Sequence, residues 1–305
     1  MDVSIVIVNY NTYDLLVDCI DSVRRFTPAA ISYEIIVVDN NSAPAEVARL
    51  KTLSGIKLIL SDKNAGFGAG NNLGVQHAAG KFLLLLNADT VFVADALSIF
   101  MSEYSRLQTD HKVGVLGAQL TDRNSLPVGS YYRFPRLKDV IFDRYRDLFK
   151  YVGVKMGIAK RSSKENDPAT DGAVDYIIGA DMFLEKKIYD AQQGFDEKFF
   201  MYFEEADLQL RLSEEGYEHF LTSKTRIIHL EGGSQKKEVG NDHVPNRRRI
   251  MIHVSRNLYF RKHLAKWQYF CYILSEISLI PIRIISPNHS LKENFTFVRK
   301  CLASL

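Results

Sequence analysis

Ser4-Ile5-Val6-Ile7-Val8 and Glu34-Ile35-Ile36-Val37-Val38 are two nearly unbroken β-branched runs, and they stop abruptly at Asn9 and Asp39. Runs this apolar leave no polar face for water, so they predict short strands covered on both sides, as in a parallel sheet. Between them Leu15, Leu16, Cys19, Ile20 and Val23 recur at helical spacing from Asn11 to Arg25, with Thr12 or Asn11 placed to cap. A helix near Ala45–Leu53, a strand at Ile56–Leu60, a helix reaching about His77 and a strand at Phe82–Leu86 continue the alternation. The expected fold class is α/β: one Rossmann-like, mostly parallel sheet flanked by helices. Ligands of such sheets bind beyond the carboxyl ends of the strands, which is where Asn9, Asp39 and Asp89 fall.

The chain is long enough, at 305 residues, for one large domain or a domain with an appendage. Its 46% apolar and 25% charged residues are ordinary for a globular protein and exclude a repeat array or a disordered chain. Cys19, Cys271 and Cys301 show neither metal-ligand spacing nor an even disulfide set, so free thiols in a reducing compartment are expected. The strand at Val3 follows the start without a basic leader or a small-residue cleavage site, which gives no secretion signal and an expected cytoplasmic location.

Three groups of residues suggest chemistry. Asp39 ends a buried strand; its carboxylate can accept hydrogen bonds from a nucleobase or ribose, or close its own turn. Beside Asn9-Tyr10-Asn11 the ligand role is favoured. Asn87-Ala88-Asp89 follows Phe82–Leu86, and Asp89 is placed to bind Mg²⁺ or Mn²⁺ together with phosphate oxygens. His229 lies at the end of the apparent strand Thr225–Ile228, before Gly232-Gly233-Ser234, and is a second metal-ligand candidate better suited to Mn²⁺. Glu204, Glu205 and Asp207 crowd three carboxylates into a helix start. The helix dipole and an Asp207–Arg211 pair explain part of this. Crowded like charges also raise the pKa of one member, which suits a base, and Phe199, Phe200, Tyr202 and Phe203 add desolvation. Glu205 is assigned as the base, with Glu204 as its rival.

Gly66-Phe67-Gly68-Ala69-Gly70 lacks the dinucleotide spacing, because Asn71 and Leu73 stand where a third glycine belongs and the run follows the third strand. A close-packed turn approaching a nucleotide fits better.

These segments, from Ser4–Asn11 through Val37–Ser42, Asn64–Asn72, Leu86–Asp89, Gly179-Ala180 and Gly194–Glu205 to His229–Ser234, resemble the family 2 inverting glycosyltransferases of GT-A fold. Within them the chain is similar to the bacterial rhamnosyltransferase-like branch, over roughly residues 3–265. The resemblance implies donor nucleotide contacts at Val8, Asn9, Tyr10, Asp39, Asn64, Gly66, Asn71, Asn72, Asn87 and Ala88. It implies a divalent metal, Mn²⁺ or Mg²⁺, on Asp89 and His229, and a base at the second position of the family's Glu-Asp pair, here Glu205. The 125–172 stretch, Gly179, Ala180, Asp181 and Asp207 are expected on the acceptor side. Two departures stand out: Asn87 where the metal motif often begins with Asp, and Glu205 where the base is more often Asp. The implied donor is dTDP-rhamnose, with UDP-hexose or UDP-N-acetylhexosamine open. The implied acceptor is a polyprenyl-diphosphate-linked glycan, as in O-antigen or capsule assembly, and no nucleic acid partner is expected. A sugar-nucleotide pyrophosphorylase would need a glycine-rich basic loop where Asn9-Tyr10-Asn11 stands. A non-catalytic nucleotide-sugar binding protein remains the other alternative.

Residues 1–240 are expected to form the catalytic domain, with 1–120 as nucleotide half and 121–240 as acceptor half. Residues 241–305 are expected to be a basic helical extension. Residues 236–305 carry 13 Lys/Arg against 4 Asp/Glu, so the first 235 are net −6 while the tail is +9. That asymmetry suggests an anionic partner. Trp267–Ile285 is interrupted by Glu276, Pro281 and Arg283, too polar for a span. It is expected either to lie on the membrane surface, making the protein peripheral on the inner face of the cytoplasmic membrane, or to pack on the body. Arg161–Asp171 is polar and expected to be a loop.

Overall fold

The β-branched runs form strands whose every side chain has a covered side. The structure, a computed structural model, describes residues 1–142, 171–230, 246–284 and 289–305. Strands β1 (Val3–Asn9), β2 (Tyr33–Asp39), β3 (Lys57–Leu60) and β4 (Phe82–Asn87) are all parallel, in the order β3-β2-β1-β4. The register sets Asn9 opposite Asp39 and Val8 opposite Asn87, so the polar strand ends share one edge. One face buries Val3, Ile5 and Ile7 against Leu16, Ile20 and Val23 of helix α1 (Tyr13–Phe26). The other buries Val6, Ile36 and Leu85 in a cluster that includes Val75. Helices α2 (Pro44–Leu50) and α3 (Phe67–Val75) complete the crossovers.

Beyond β4 the sheet is mixed. Strands β5 (Thr90–Phe92) and β6 (Val113–Thr121) flank helix α4 (Ala96–Leu107), and β7 (Tyr131–Tyr132) follows. After β8 (Gly172–Val174) and β9 (Tyr176–Ile177) comes β10 (Asp181–Glu185), which runs antiparallel between β4 and β6. All five of its residues are buried, so its composition reads like that of a parallel strand. Helices α5 (Lys186–Ala191) and α6 (Glu204–Glu214) lead to β11 (Glu218–His229), parallel to β6 and antiparallel to β5 and β8. Strand β11 begins seven residues before the expected Thr225, because the polar stretch Thr222–Thr225 forms an irregularity within it.

The start of α1 also differs from expectation. Thr12 occupies the N-cap position, but its side chain makes no capping bond: its hydroxyl donates to Asn9 Oδ1 (2.9 Å), and the Tyr13 N–H donates to Glu46 Oε1 (3.0 Å). A carboxylate from α2 does the capping, a contact that sequence spacing does not reveal.

By contact the chain divides into two compact units, Met1–Arg133 with Pro168–Gly240, and Phe134–Asp167 with Asn241–Leu305. The second contains helices α7 (Asn246–His263), α8 (Lys266–Ser278), α9 (Ile280–Ile284) and α10 (Leu291–Leu302). Most of the expected acceptor stretch 125–172, the Arg161–Asp171 loop except its last residue, and Gly232-Gly233-Ser234 lie outside the described residues.

Candidate active site

At the ends of β1 and β2 a buried polar cluster is already formed. Asn9 Nδ2 donates to Asp39 Oδ1 (3.0 Å), Ser42 Oγ (3.2 Å) and Glu46 Oε1 (3.2 Å), while the Ser42 N–H donates to Asp39 Oδ2 (3.0 Å). Asn9 and Asp39 are buried, and Tyr10, directly after β1, is exposed. A fixed carboxylate with an exposed aromatic residue following the neighbouring strand end suits a planar, hydrogen-bonding ligand.

Asn40 ties this edge to the glycine-rich turn. Its Nδ2 donates to Asn64 Oδ1 (3.0 Å) and Gly66 O (3.0 Å), and its Oδ1 accepts from Ala65 N–H (3.2 Å). Gly66 has φ 98°, and a Cβ there would lie 2.0 Å from the Phe200 carbonyl oxygen. Gly66→Ala is therefore expected to destabilise the fold by ~2 kcal/mol or more, read by chemical denaturation. Gly70 approaches Val8, where an added Cβ would meet Cγ1 at 2.9 Å. Asn71 is buried; its Nδ2 donates to Phe67 O (3.0 Å) and its Oδ1 has no hydrogen-bond partner. The capacity of Asn72 is spent internally, on Phe195 O (2.9 Å) and Glu197 Oε1 (3.1 Å) as donor, and on the Tyr189 hydroxyl (2.7 Å) and Phe195 N–H (2.9 Å) as acceptor.

The same turn receives the carboxylate segment. The Phe67 N–H donates to Phe200 O (3.0 Å), and a Cβ on Gly68 would lie 3.6 Å from Glu204 Cβ. Tyr202 (φ 71°) and Phe203 (φ 69°) both sit in the left-handed region, immediately before α6. Two bulky residues in that region cost about 1–3 kcal/mol each, a cost found where surroundings fix a functional geometry. Glu204 is buried with Oε2 unpartnered; burial first, then the charge of Glu205, raise its carboxyl well above the ordinary range. Glu205 keeps part of its surface exposed, but its Oε2 is buried and unpartnered. Burial raises it to about 7, against the pull of the Glu205 and Phe203 N–H groups. Near neutral pH the pair holds Glu204 as the acid and lets Glu205 exchange a proton.

Asp89, in the turn between β4 and β5, meets His229 at the end of β11. The register pairs Thr90 with His229, the Leu230 N–H donates to Asp89 O (2.9 Å), and His229 Nε2 lies 3.4 Å from Asp89 Oδ1. His229 Nδ1 is buried without a hydrogen-bond partner. Beneath them Thr90 Oγ1 donates to Asn87 O (2.7 Å), with the buried Cys19 thiol against both. Among the described residues no group of three His, Cys, Asp or Glu forms a complete metal cage. The Asp89 carboxylate and the His229 Nε2 that faces it fit a divalent cation whose remaining ligands come from substrate oxygens.

On the other side of β4, the Asn87 N–H donates to Ala180 O (2.9 Å), and Gly179 lies against the Phe67 ring. Ala88 and Ala180 are buried. Asp181 is fully buried: Oδ2 accepts from Ala118 N–H (2.7 Å), Oδ1 is orphaned, and burial raises the carboxyl well above its ordinary value. Asp207 is likewise buried and committed to Arg211 (3.0 Å), which also binds Gln192 O (2.7 Å) and Gly194 O (2.8 Å). It anchors the turn before the carboxylate segment. Sequence reasoning missed Asn40 and Glu46 as organisers; their partners lie 24 to 37 residues away.

Proteins similar to this chain include transferases of sugars. WbbL, a rhamnosyltransferase of Escherichia coli (strain K12), is 28% identical over 204 residues, 65% of this chain and 72% of its own. The hexosyltransferase Agl10 of low-salt glycan biosynthesis in Haloferax volcanii is 26% identical over 218 residues, 70% of this chain and 62% of its own. Among solved structures, the mannosyltransferase PcManGT of Pyrobaculum calidifontis, in complex with GDP-Man and Mn²⁺, superposes with a TM-score of 0.52 at 15% identity, over 99% of this chain and 73% of that one. TarS 1-349 of S. aureus with UDP gives 0.52 at 11% identity, over 100% and 89%. These likenesses give the fold, GT-A. The profile of Glycosyl transferase family 2 matches residues 4–163, more than half of the sequence, and the chain therefore belongs to that family of glycosyltransferases.

Proposed function

We propose that this glycosyltransferase moves rhamnose from dTDP-rhamnose to a hydroxyl of a polyprenyl-diphosphate-linked glycan in bacterial surface polysaccharide assembly. The observation that carries the reading is the convergence of the strand-end cluster of Asn9 and Asp39, the Asn64–Gly70 turn and the Glu204–Glu205 pair, joined through Asn40 and Phe200. The rhamnose donor rests on the likeness to WbbL.

In the reaction Glu205 takes the proton of the acceptor hydroxyl, whose oxygen bonds to the anomeric carbon as the bond to the nucleotide diphosphate breaks. One in-line displacement inverts the anomeric configuration. Burial and the neighbouring charge raise the Glu204 carboxyl, which favours its neutral form beside the base. Asp39, Asn9 and Tyr10 orient the nucleotide, and Val8, Asn64, Gly66, Asn71, Asn87 and Ala88 line its approach. Asp89 and His229 would hold Mn²⁺ or Mg²⁺, which offsets charge on the leaving diphosphate. Gly179 borders the acceptor, with Ala180 and Asp181 buried behind it. In this reading residues 1–240 form the catalytic domain and 241–305 the extension, which meets the inner membrane surface where the acceptor resides. No helix among the described residues is long and apolar enough to cross a membrane.

The test is transfer from a panel of dTDP-rhamnose, UDP-hexoses and UDP-N-acetylhexosamines to a lipid-linked glycan acceptor. Rhamnose transfer is expected. Transfer from a UDP-sugar alone would replace the donor, and absence of both transfer and donor binding in folded protein would favour a non-catalytic role.

A further inference from the structure

Helix α8 is inside out for a helix packed in a water-soluble unit. Its inner face buries Tyr272, Ser275 and Glu276, while Trp267 (68% exposed), Phe270 (60%), Leu274 and Ile277 face outward. At 3.6 residues per turn these four fall within about 80° of arc. The inner face is committed to polar partners. Glu276 pairs with His253 of α7 (2.7 Å) and Arg283 of α9 (2.8 Å). The Tyr272 hydroxyl donates to Asn257, which donates in turn to Ser304 Oγ (2.8 Å). Turning α8 over to hide its apolar stripe would strand these groups, so the stripe is fixed outward.

Helix α10 repeats the pattern with exposed Leu291, Phe295 and Leu302, within about 40° of arc. Its end lies beside the start of α8, where the Tyr269 hydroxyl donates to Leu305 O (2.8 Å). Exposed cations flank both stripes: Arg261 and Lys262 precede α8, Lys266 opens it, and Lys292 and Arg299 lie beside the stripe on α10. From residue 246 to the end there are 11 Lys/Arg against 2 Asp/Glu.

We infer that the outward stripes of α8 and α10 form one docking surface for an anionic lipid bilayer, with Trp267 and Phe270 inserted at the headgroup level. Two features favour this occupant. Aromatic residues backed by aliphatic ones match the interfacial zone, and the surrounding cations match negative headgroups rather than another copy of an equally basic helical unit. The inference deepens the membrane contact proposed above, but its evidence is independent of the donor site.

Trp267 is the only tryptophan in the chain, so its fluorescence reports on this surface alone. The full-length protein is mixed with vesicles of phosphatidylcholine alone or with phosphatidylglycerol added, and read by sedimentation and emission. Binding and a blue shift are expected with phosphatidylglycerol, weakening as salt is raised. Leu274→Glu and Phe295→Glu, both at exposed positions, should each lower vesicle affinity about tenfold or more with unchanged thermal melting. Absence of binding and of a shift would overturn the inference. So would a blue shift that grows with protein concentration without lipid, which would make a second copy the occupant. Donor hydrolysis in lipid-free solution is measured on the same proteins. Its retention in the two variants isolates the surface, whereas its absence in the wild type would count against the transferase reading and leave the lipid result intact.

Discussion

Glu205→Gln is expected to lower turnover by about 10²–10⁴-fold while leaving donor affinity nearly unchanged, because it removes the proton acceptor and keeps the shape. Calorimetric donor binding beside steady-state transfer separates the two effects. Glu204→Gln should cost far less, since burial and the charge of Glu205 already favour the protonated form of Glu204. The reverse ranking would make Glu204 the base. Unfolding is a poor explanation for the Glu205→Gln loss, and the sign of the linkage shows why. A carboxyl raised from 4.5 to about 7 is bound to its proton more tightly in the folded chain than in the unfolded one. Its stability contribution is full below about pH 4.5 and is lost as pH rises through about 7. Glutamine lacks that penalty, so the variant should melt no lower than the wild type at pH 8.

The second large effect concerns Asp89 and His229. Asp89→Asn and His229→Ala are each expected to weaken Mn²⁺ binding by at least about a hundred-fold, read by calorimetry with and without nucleotide. The side chains touch at 3.4 Å, Asp89 from the turn just before β5 and His229 from the end of β11, which pairs with β5. Removing either leaves a cation one protein ligand short, since no third His, Cys, Asp or Glu stands by among the described residues. Unchanged Mn²⁺ affinity in both variants would remove the metal assignment. Neither result depends on knowing the donor sugar.

Much of this site could be read from the chain itself, for a physical reason. Parallel strands covered on both faces must be apolar along their length, so the first polar residue marks each carboxyl end, and Asn9, Asp39 and Asn87 were found that way. Proximity across strands is another matter. That Glu46 caps α1, or that Asn40 holds Gly66 under Phe200, depends on backbone geometry that no local spacing encodes. The antiparallel setting of β10 was hidden because full burial erases the alternation that separates strand types. Asp181 and Asp207 are expected from the sequence on the acceptor side, yet both are buried and hydrogen-bonded within the body, Asp207 in the Arg211 pair its i,i+4 spacing predicts. The left-handed turn at Tyr202-Phe203 was equally invisible, since bulky residues give no signal for it.

The most direct test of the central claim, that Glu205 is the catalytic base, is the pH dependence of wild-type sugar transfer from pH 5 to 9 at saturating metal and donor. The account predicts a rate that rises with pH through a single ionisation near 7, is retained in Glu204→Gln, and is absent from the residual activity of Glu205→Gln. A rate already at its plateau at pH 5, or a limb near 7 that survives in Glu205→Gln, would contradict it.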